Sequence, residues 1–257
     1  MVTRPPIPVG LSYARGMTDT RSAFVLGARN LGGSIAGDLI EHGWRVASVA
    51  RSADSLDRAR SLGAVPVAAD ATDPADLARA LAAAVGEIGA PSLFVNAVSA
   101  SRSTGGPWGG GPVAEAGLEG IRQWCTPVAE QCAIFLQLAA RSLRENGAGG
   151  TIVQITGGSA RRAMPGRGAW AAGAAATRAL VHAAAQELRE EDIHVALLIV
   201  DATIESPKTA ERAASVPARA LTREADVAGA VRYLATQDVR GLTHELVITP
   251  AGDRWLP

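Results

Sequence analysis

The chain has 257 residues, of which 47% are hydrophobic, and it carries 25 acidic and 25 basic side chains. That length suits one large α/β domain with a sizeable core. The charge balance gives no electrostatic reason to expect nucleic acid or a membrane surface as partner, and no apolar run approaches the length of a membrane span.

Residues 1–21 lack periodicity and contain three prolines; they are expected to be a flexible tail ahead of one domain at 22–257. MVTRPPIPVG has prolines where a signal peptide needs an apolar helix, so a cytoplasmic location is expected. Ser22 to Leu26 reads as a first strand. GARNLGGSIAGDLI follows, with Gly27 at a tight turn and a helix that Gly43 stops. Trp44 to Ala50 is a second strand, Ser55 to Leu62 a helix, and Val65 to Ala69 a third strand that ends in Asp70-Ala71-Thr72. Asp73-Pro74 is an N-cap followed by proline at the first helical position. Leu93 to Ala97 is the fourth strand.

Residues 99–120 are irregular, with five glycines flanking Pro107 and Trp108. In an open α/β sheet ligands bind beyond the carboxyl ends of the strands, and this loop leaves the fourth strand there. It is read as a substrate rim or lid containing Ser99, with Trp108 as a stacking surface. A surface excursion without a role is the alternative. Thr126-Pro127 caps a helix to about Arg144. Cys125 and Cys132 would be ~10 Å apart along a continuous helix, too far for a disulfide. They also lack zinc-site spacing, so no metal is expected. Ile152 to Ile155 is the fifth strand, Ala169 to Leu188 an alanine-rich helix, and His194 to Val200 the sixth strand. A second loop at 204–221 precedes a helix capped by Thr222, and His244 to Thr249 is the seventh strand.

The glycine turn together with Thr151 to Arg178 resembles the short-chain dehydrogenase/reductase family, over residues 22–252. The resemblance implies a Rossmann-like, doubly wound parallel sheet of seven strands in the order 3-2-1-4-5-6-7, with helices on both faces. It implies a nicotinamide dinucleotide whose pyrophosphate meets the turn at Gly27, Asn30 and Leu31. Arg51 stands where an NAD enzyme places an acid, and Arg29 lies inside the turn; two guanidiniums on a 2′-phosphate would select NADP(H). By the same resemblance Asp70 and Ala71 meet the adenine, and Asn96 and Ala97 line the ribose. Ile204 holds the carboxamide, Ser206 replaces a threonine, and Thr156 adjoins them. Assembly as a homo-oligomer, dimer or tetramer, is expected, with small residues at Ala171 to Ala176 permitting close helix contact.

The departures are chemical. The family's catalytic Ser, Tyr and Lys positions fall on Gly157, Trp170 and Ala174. The two tyrosines are Tyr13 and Tyr233 and the one lysine is Lys208, so no shifted copy of the motif exists. No Asn lies between Gly120 and Arg144 to supply the family's proton relay. Thr156 and Ser159 are weak hydroxyl candidates. Ser99, Trp108, Ser159 and Trp170 are the candidate substrate contacts, and glycines at 157 and 158 leave room for a bulky ring system. The pattern is similar to the atypical polyketide ketoreductases of antibiotic biosynthesis. It implies an NADPH-dependent ketoreductase acting on a polycyclic aromatic ketone that brings its own proton. The alternatives are a catalytically silent family member, acting as structural partner or NADP-responsive regulator, and a non-redox isomerase or lyase.

Overall fold

The computed structural model describes residues 21–98 and 106–253. The expected tail up to residue 20, and Ser99 with the start of its loop, lie outside the described residues. Among the described residues the strands are β1 (Ser22–Leu26), β2 (Arg45–Ala50), β3 (Val65–Ala68), β4 (Leu93–Asn96), β5 (Gly150–Gly157), β6 (Ile193–Val200), β7 (Thr203–Glu205), β8 (Leu221–Arg223) and β9 (Glu245–Ile248). The helices are α1 (Asn30–Glu41), α2 (Ala53–Ser61), α3 (Pro74–Ile88), α4 (Gly117–Trp124), α5 (Thr126–Asn146), α6 (Gly168–Glu187), α7 (Ala210–Ala213) and α8 (Glu224–Ala235). Seven strands form a parallel sheet in the order β3-β2-β1-β4-β5-β6-β9, while β7 and β8 pair separately. This is the expected order, with β9 as the seventh strand of the sheet.

A parallel sheet covered on both faces needs strands that are apolar on both sides. β6 meets the requirement: all eight of its residues are buried. Its side chains alternate between two cores, Val195, Leu197 and Ile199 on one face and Ala196, Leu198 and Val200 on the other. The first core holds Phe24, Phe94 and Phe135, with Leu77 of α3 and Val181 of α6. The second holds Ile35 and Leu39 of α1 and Val227 and Val231 of α8. Phe24 and Phe94 face each other across β1 and β4, their ring centres 5.9 Å apart. The two layers lock the strands in register, so that the carboxyl ends of β1, β4, β5 and β6 form one edge.

Asp73 caps α3 as expected, its carboxylate accepting from the backbone N–H of Ala75 and Asp76. Thr126 does not cap α5. Helix α4 runs almost directly into α5, and Cys125 between them keeps right-handed helical angles, so Thr126 falls inside the helix. Thr222 does not cap α8 either. It is buried in β8 opposite Ile204, and α8 begins only at Glu224. The described part of the 99–120 loop is more ordered than its glycines imply, with a turn at Trp108–Gly110 and then α4. The small-residue face of α6 is largely used within the chain: Ala171, Gly173 and Ala174 are buried, and a Cβ on Gly173 would lie 2.9 Å from the Cys125 carbonyl oxygen. The Cys132 thiol, buried in α5, is pushed up to about 12 by that burial, which makes it inert. No helix among the described residues is long and apolar enough to cross a membrane, and none of them group as three metal-ligating side chains.

His194, the second residue of β6, is 5% exposed. Its Nε2 lies 2.9 Å from the Thr243 carbonyl, which only accepts, so the proton sits on Nε2 and Nδ1 is left buried without a partner. Burial pushes its pKa below the usual histidine value, aided by His244, whose ring packs edge-on at 5.5 Å. A lowered folded-state pKa means that the unfolded chain takes up this proton first as pH falls. The stabilisation is complete above about pH 6.5 and is lost as pH falls toward the depressed value. Urea unfolding at pH 7.5 and at pH 5.5 should therefore show a larger loss of stability in the wild type than in His194→Gln. Equal losses in both would contradict this assignment.

Candidate active site at the carboxyl edge of the sheet

At the end of β1 the chain turns through Gly27 (φ +107°) and Asn30 (φ +43°) into α1. The approach is tight: a Cβ on Gly32 would lie 2.5 Å from the Gly27 carbonyl oxygen, so the glycine that follows Leu31 is a steric necessity. Arg29 precedes α1 with extended backbone, and no side chain caps the helix. The first N–H groups of α1 are thus left facing outward, with the positive end of the helix dipole behind them. A dinucleotide pyrophosphate is the group that such a cradle fits.

Beside the turn lies a cleft of about 240 Å³, bounded by Leu31, Ala97, Thr156, Gly157, Trp170 and Ile204 among others. Six of the residues proposed from sequence therefore converge here. Asn96 does not join them as a ribose contact. It is fully buried, and its Nδ2 donates to Gln131 Oε1 and to Gln154 Oε1, each at 2.8 Å. Its Oδ1 accepts from the Val98 N–H at 3.2 Å, and Gln154 Nε2 donates to the Ile155 carbonyl. Backbone groups at both ends fix the orientation of all three amides. Asn96 is a brace tying β4, β5 and α5 together, and Gln131 Nε2 remains buried at the cleft without a protein acceptor. Ser206 is also occupied, its hydroxyl 3.0 Å from that of Thr209. Thr209 lines the cleft and donates to the Ile204 carbonyl, so that this oxygen is taken within the chain. Ser159 and Ala174 do not line the cleft; Ala174 is buried in the core.

The arginines divide. The Arg29 guanidinium is exposed and has no partner among the described residues. Arg51 pairs with Asp70 at 3.3 Å, and Asp70 also accepts from the backbone N–H and the hydroxyl of Thr72. The Thr72 N–H, then Arg51, hold the Asp70 carboxyl below the usual range. Both members are solvent-exposed, so the pair is weak and exchangeable. Asp70 is thus spent first on its own turn, with Ala71 packed half-buried against the core beside it. Arg58 on α2 comes close to the α1 start as well, its Nε 2.9 Å from where a Gly33 Cβ would stand.

Trp170 is not a solitary wall. Its ring centre lies 5.7 Å from Trp108 and 6.0 Å from Trp124, and those two are 5.6 Å apart. The cluster is held by the glycine-rich loop, where a Cβ on Gly110 would strike the Ala169 Cβ at 2.8 Å. Arg167 stacks over Trp108 at 4.6 Å. Sequence reasoning missed Trp124, Gln131, Thr209 and Arg212, all but the first of which line the cleft. The one available signal was that five tryptophans are many for a chain that is 4% aromatic.

Gly157 and Gly158 differ sharply. Nothing lies within 4 Å of a Cβ on Gly157, so it leaves open space at the cleft. A Cβ on Gly158 would meet Asp201 Oδ1 at 1.9 Å. Asp201, 6% exposed, is paired with Arg162 at 3.0 Å. The room expected at Gly158 is therefore filled by a buried carboxylate, and only Gly157 serves a ligand. Gly157→Ser should leave the thermal midpoint within about 2 °C of the wild type. Gly158→Ala should displace Asp201 and cost about 2 kcal/mol through overpacking against that carboxylate and its part-buried pair with Arg162; equal stability of the two variants would contradict the geometry.

The enoyl-(acyl carrier protein) reductase family model matches residues 25–252. Among curated proteins none matches the chain in sequence. The fold is similar to a short-chain type dehydrogenase/reductase from Mycobacterium ulcerans, with TM-score 0.77 and 22% identity over 88% of this chain and 87% of that one. It is similar to acetoin dehydrogenase from Enterobacter cloacae, with TM-score 0.73 and 22% identity over 90% and 94% of the two chains. A metagenomic short-chain oxidoreductase in complex with NADP matches with TM-score 0.69 and 22% identity over 90% and 97%. With the family model spanning nearly the whole sheet, the chain belongs to the short-chain dehydrogenase/reductase family of NAD(P)-dependent oxidoreductases.

Proposed function

We propose that the protein is an NADPH-dependent ketoreductase that reduces a carbonyl of a polycyclic aromatic polyketide in antibiotic biosynthesis, without a protein acid. The observation that carries the proposal is the chemistry of the cleft lining. Among the described residues its one ionisable side chain is Arg212; the other polar groups they contribute are amides, hydroxyls and the Trp170 indole. A guanidinium keeps its proton at any working pH, and neither a threonine hydroxyl nor an indole ionises usefully. The catalytic positions of the wider family would thus be served here by Gly157, Trp170 and Ala174.

A bound reduced nicotinamide supplies a hydride. The residues of this chain would hold and surround it. The uncapped start of α1 would take the pyrophosphate, and Arg29, with Arg51 released from its exposed pair, would take a 2′-phosphate. Trp170 and the void at Gly157 would hold a flat ring system with its ketone inward, where orientation alone contributes several kcal/mol. Gln131, in the cleft lining, has its Nε2 without a protein acceptor. The proton for the carbonyl oxygen comes from the substrate: a phenol beside the ketone passes its hydrogen to that oxygen as the hydride reaches the carbon. The product is an alcohol plus a phenolate, which water reprotonates.

Titration of the tryptophan fluorescence with NADPH and with NADH tests the cofactor assignment. Tenfold or greater preference for NADPH is expected, reduced by Arg29→Ala; equal affinity would refute it. In turnover with a hydroxylated aromatic ketone, Trp170→Phe should raise KM about 10-fold and change kcat little, the loss of a stacking surface and not of an acid. Abolished kcat with KM unchanged would refute the role given to Trp170.

A further inference from the structure

A second cavity of about 300 Å³ adjoins the cleft, lined by Trp108, Pro165, Gly166, Arg167 and Arg212. Arg212 borders both cavities, and the contact between Trp108 and Trp170 forms a second link. The two spaces differ in character: apart from Arg212 the cleft is lined by apolar and neutral polar residues, whereas this groove has two guanidiniums and, among the described residues, no acid in its lining. Neither guanidinium has a carboxylate partner among the described residues. Arg167 lies over the Trp108 face and reaches only the Met164 sulfur, at 4.0 Å. Nine other arginines do have one. Arg212 is exposed on the four-residue helix α7, within the second loop and close above the cleft.

We propose that this groove is a subsite for an anionic group, a carboxylate, carried by the aromatic substrate outside the ring that is reduced. The inference rests on the ketoreductase reading for the orientation of the substrate and extends it to a substrate class, the acidic aromatic ketones. A flat ring against Trp170 would project its substituents past Trp108, toward Arg212 first and Arg167 beyond it. Two guanidiniums offer a carboxylate forked, charge-assisted donors. Trp108, held in place by Trp124 and Trp170, keeps the Arg167 fork from collapsing onto the surface. The groove is open to water, so the ion pair acts as a selector among ligands that the cleft already accepts, and salt weakens it.

The test uses two matched dihydroxyanthraquinones, danthron and its carboxylate rhein, in equilibrium binding to the full chain with the oxidised cofactor NADP saturating, so that no turnover occurs, read by tryptophan quenching. Rhein should bind about 10-fold more tightly than danthron, a preference that falls with added salt. Arg167→Gln, outside the cleft lining, should reduce that ratio toward one while leaving the danthron Kd within about 2-fold; Arg212→Gln, at a residue that also borders the cleft, should likewise reduce the ratio, read against its own danthron Kd. Circular dichroism of both variants checks that they are folded, and Arg212→Lys should recover part of the ratio. Equal binding of the two probes by the wild type overturns the subsite, as does a preference that survives in both variants. NADPH oxidation with the same probes separates the two levels of argument. Turnover of danthron without a rhein preference leaves the reductase reading intact and removes the subsite; a rhein preference without turnover of either probe keeps the subsite and counts against the reading.

Discussion

Gly32 sits so close to the carbonyl of Gly27 that no side chain could stand there. This contact determines where α1 begins, and everything at the carboxyl edge follows from it. The first N–H groups of α1 are left without a side-chain cap, at the end of β1. A second close contact lies just past the end of β5, where the Asp201 carboxylate occupies the volume that a Gly158 side chain would take. The Asn96, Gln131 and Gln154 amides tie β4, β5 and α5 together, and the two glutamines border the cleft. A buried polar network is worth its desolvation cost only when nearly every group in it is satisfied. Here the one group left over, Gln131 Nε2, is at the cleft.

The three-tryptophan cluster gives the substrate side its rigidity. A glycine-rich loop would ordinarily be mobile, yet Trp108 and Trp124 bring it onto α6, and Gly110 permits the backbone to touch Ala169. Aromatic groups at these separations contribute about 1 kcal/mol per pair beyond the area they bury. The result is a cleft with an aromatic wall, a neutral polar floor and cationic groups only at its outer rim. Such a site binds and orients well. Among the described residues it offers no group that can give up a proton, which is the physical basis for proposing that role for the ligand.

Much of the fold was legible in the sequence because its signals are local. The apolar β-branched strands, the Asp73-Pro74 cap and the glycine turn each mark their own element, and parallel order follows from their alternation with helices. Where the reading failed, a contact between distant segments had overruled a local preference. Thr222 looked like a cap but was drawn into β8 by pairing with β7. Thr126 lost its cap role because α4 abuts α5. Gly157 and Gly158 were equivalent letters until Asp201 distinguished them. Asn96 and Ser206 carry the polar atoms a cofactor site wants, but each had already spent them on a neighbour, and no linear pattern reports that. Arg212 could not be found from sequence, since it reaches the site from a four-residue helix in a loop without periodicity.

The central claim is that the reacting oxygen receives its hydrogen from the substrate. Comparing kcat/KM for an aromatic ketone bearing an adjacent phenol with that for its methyl ether, at equal NADPH saturation, tests it most directly. The account predicts that methylation lowers kcat at least 100-fold, within the range a positioned acid supplies, while the ether still binds in the cleft. Reduction of the ether at the rate of the parent phenol would contradict it, and would mean that a protein group delivers the proton.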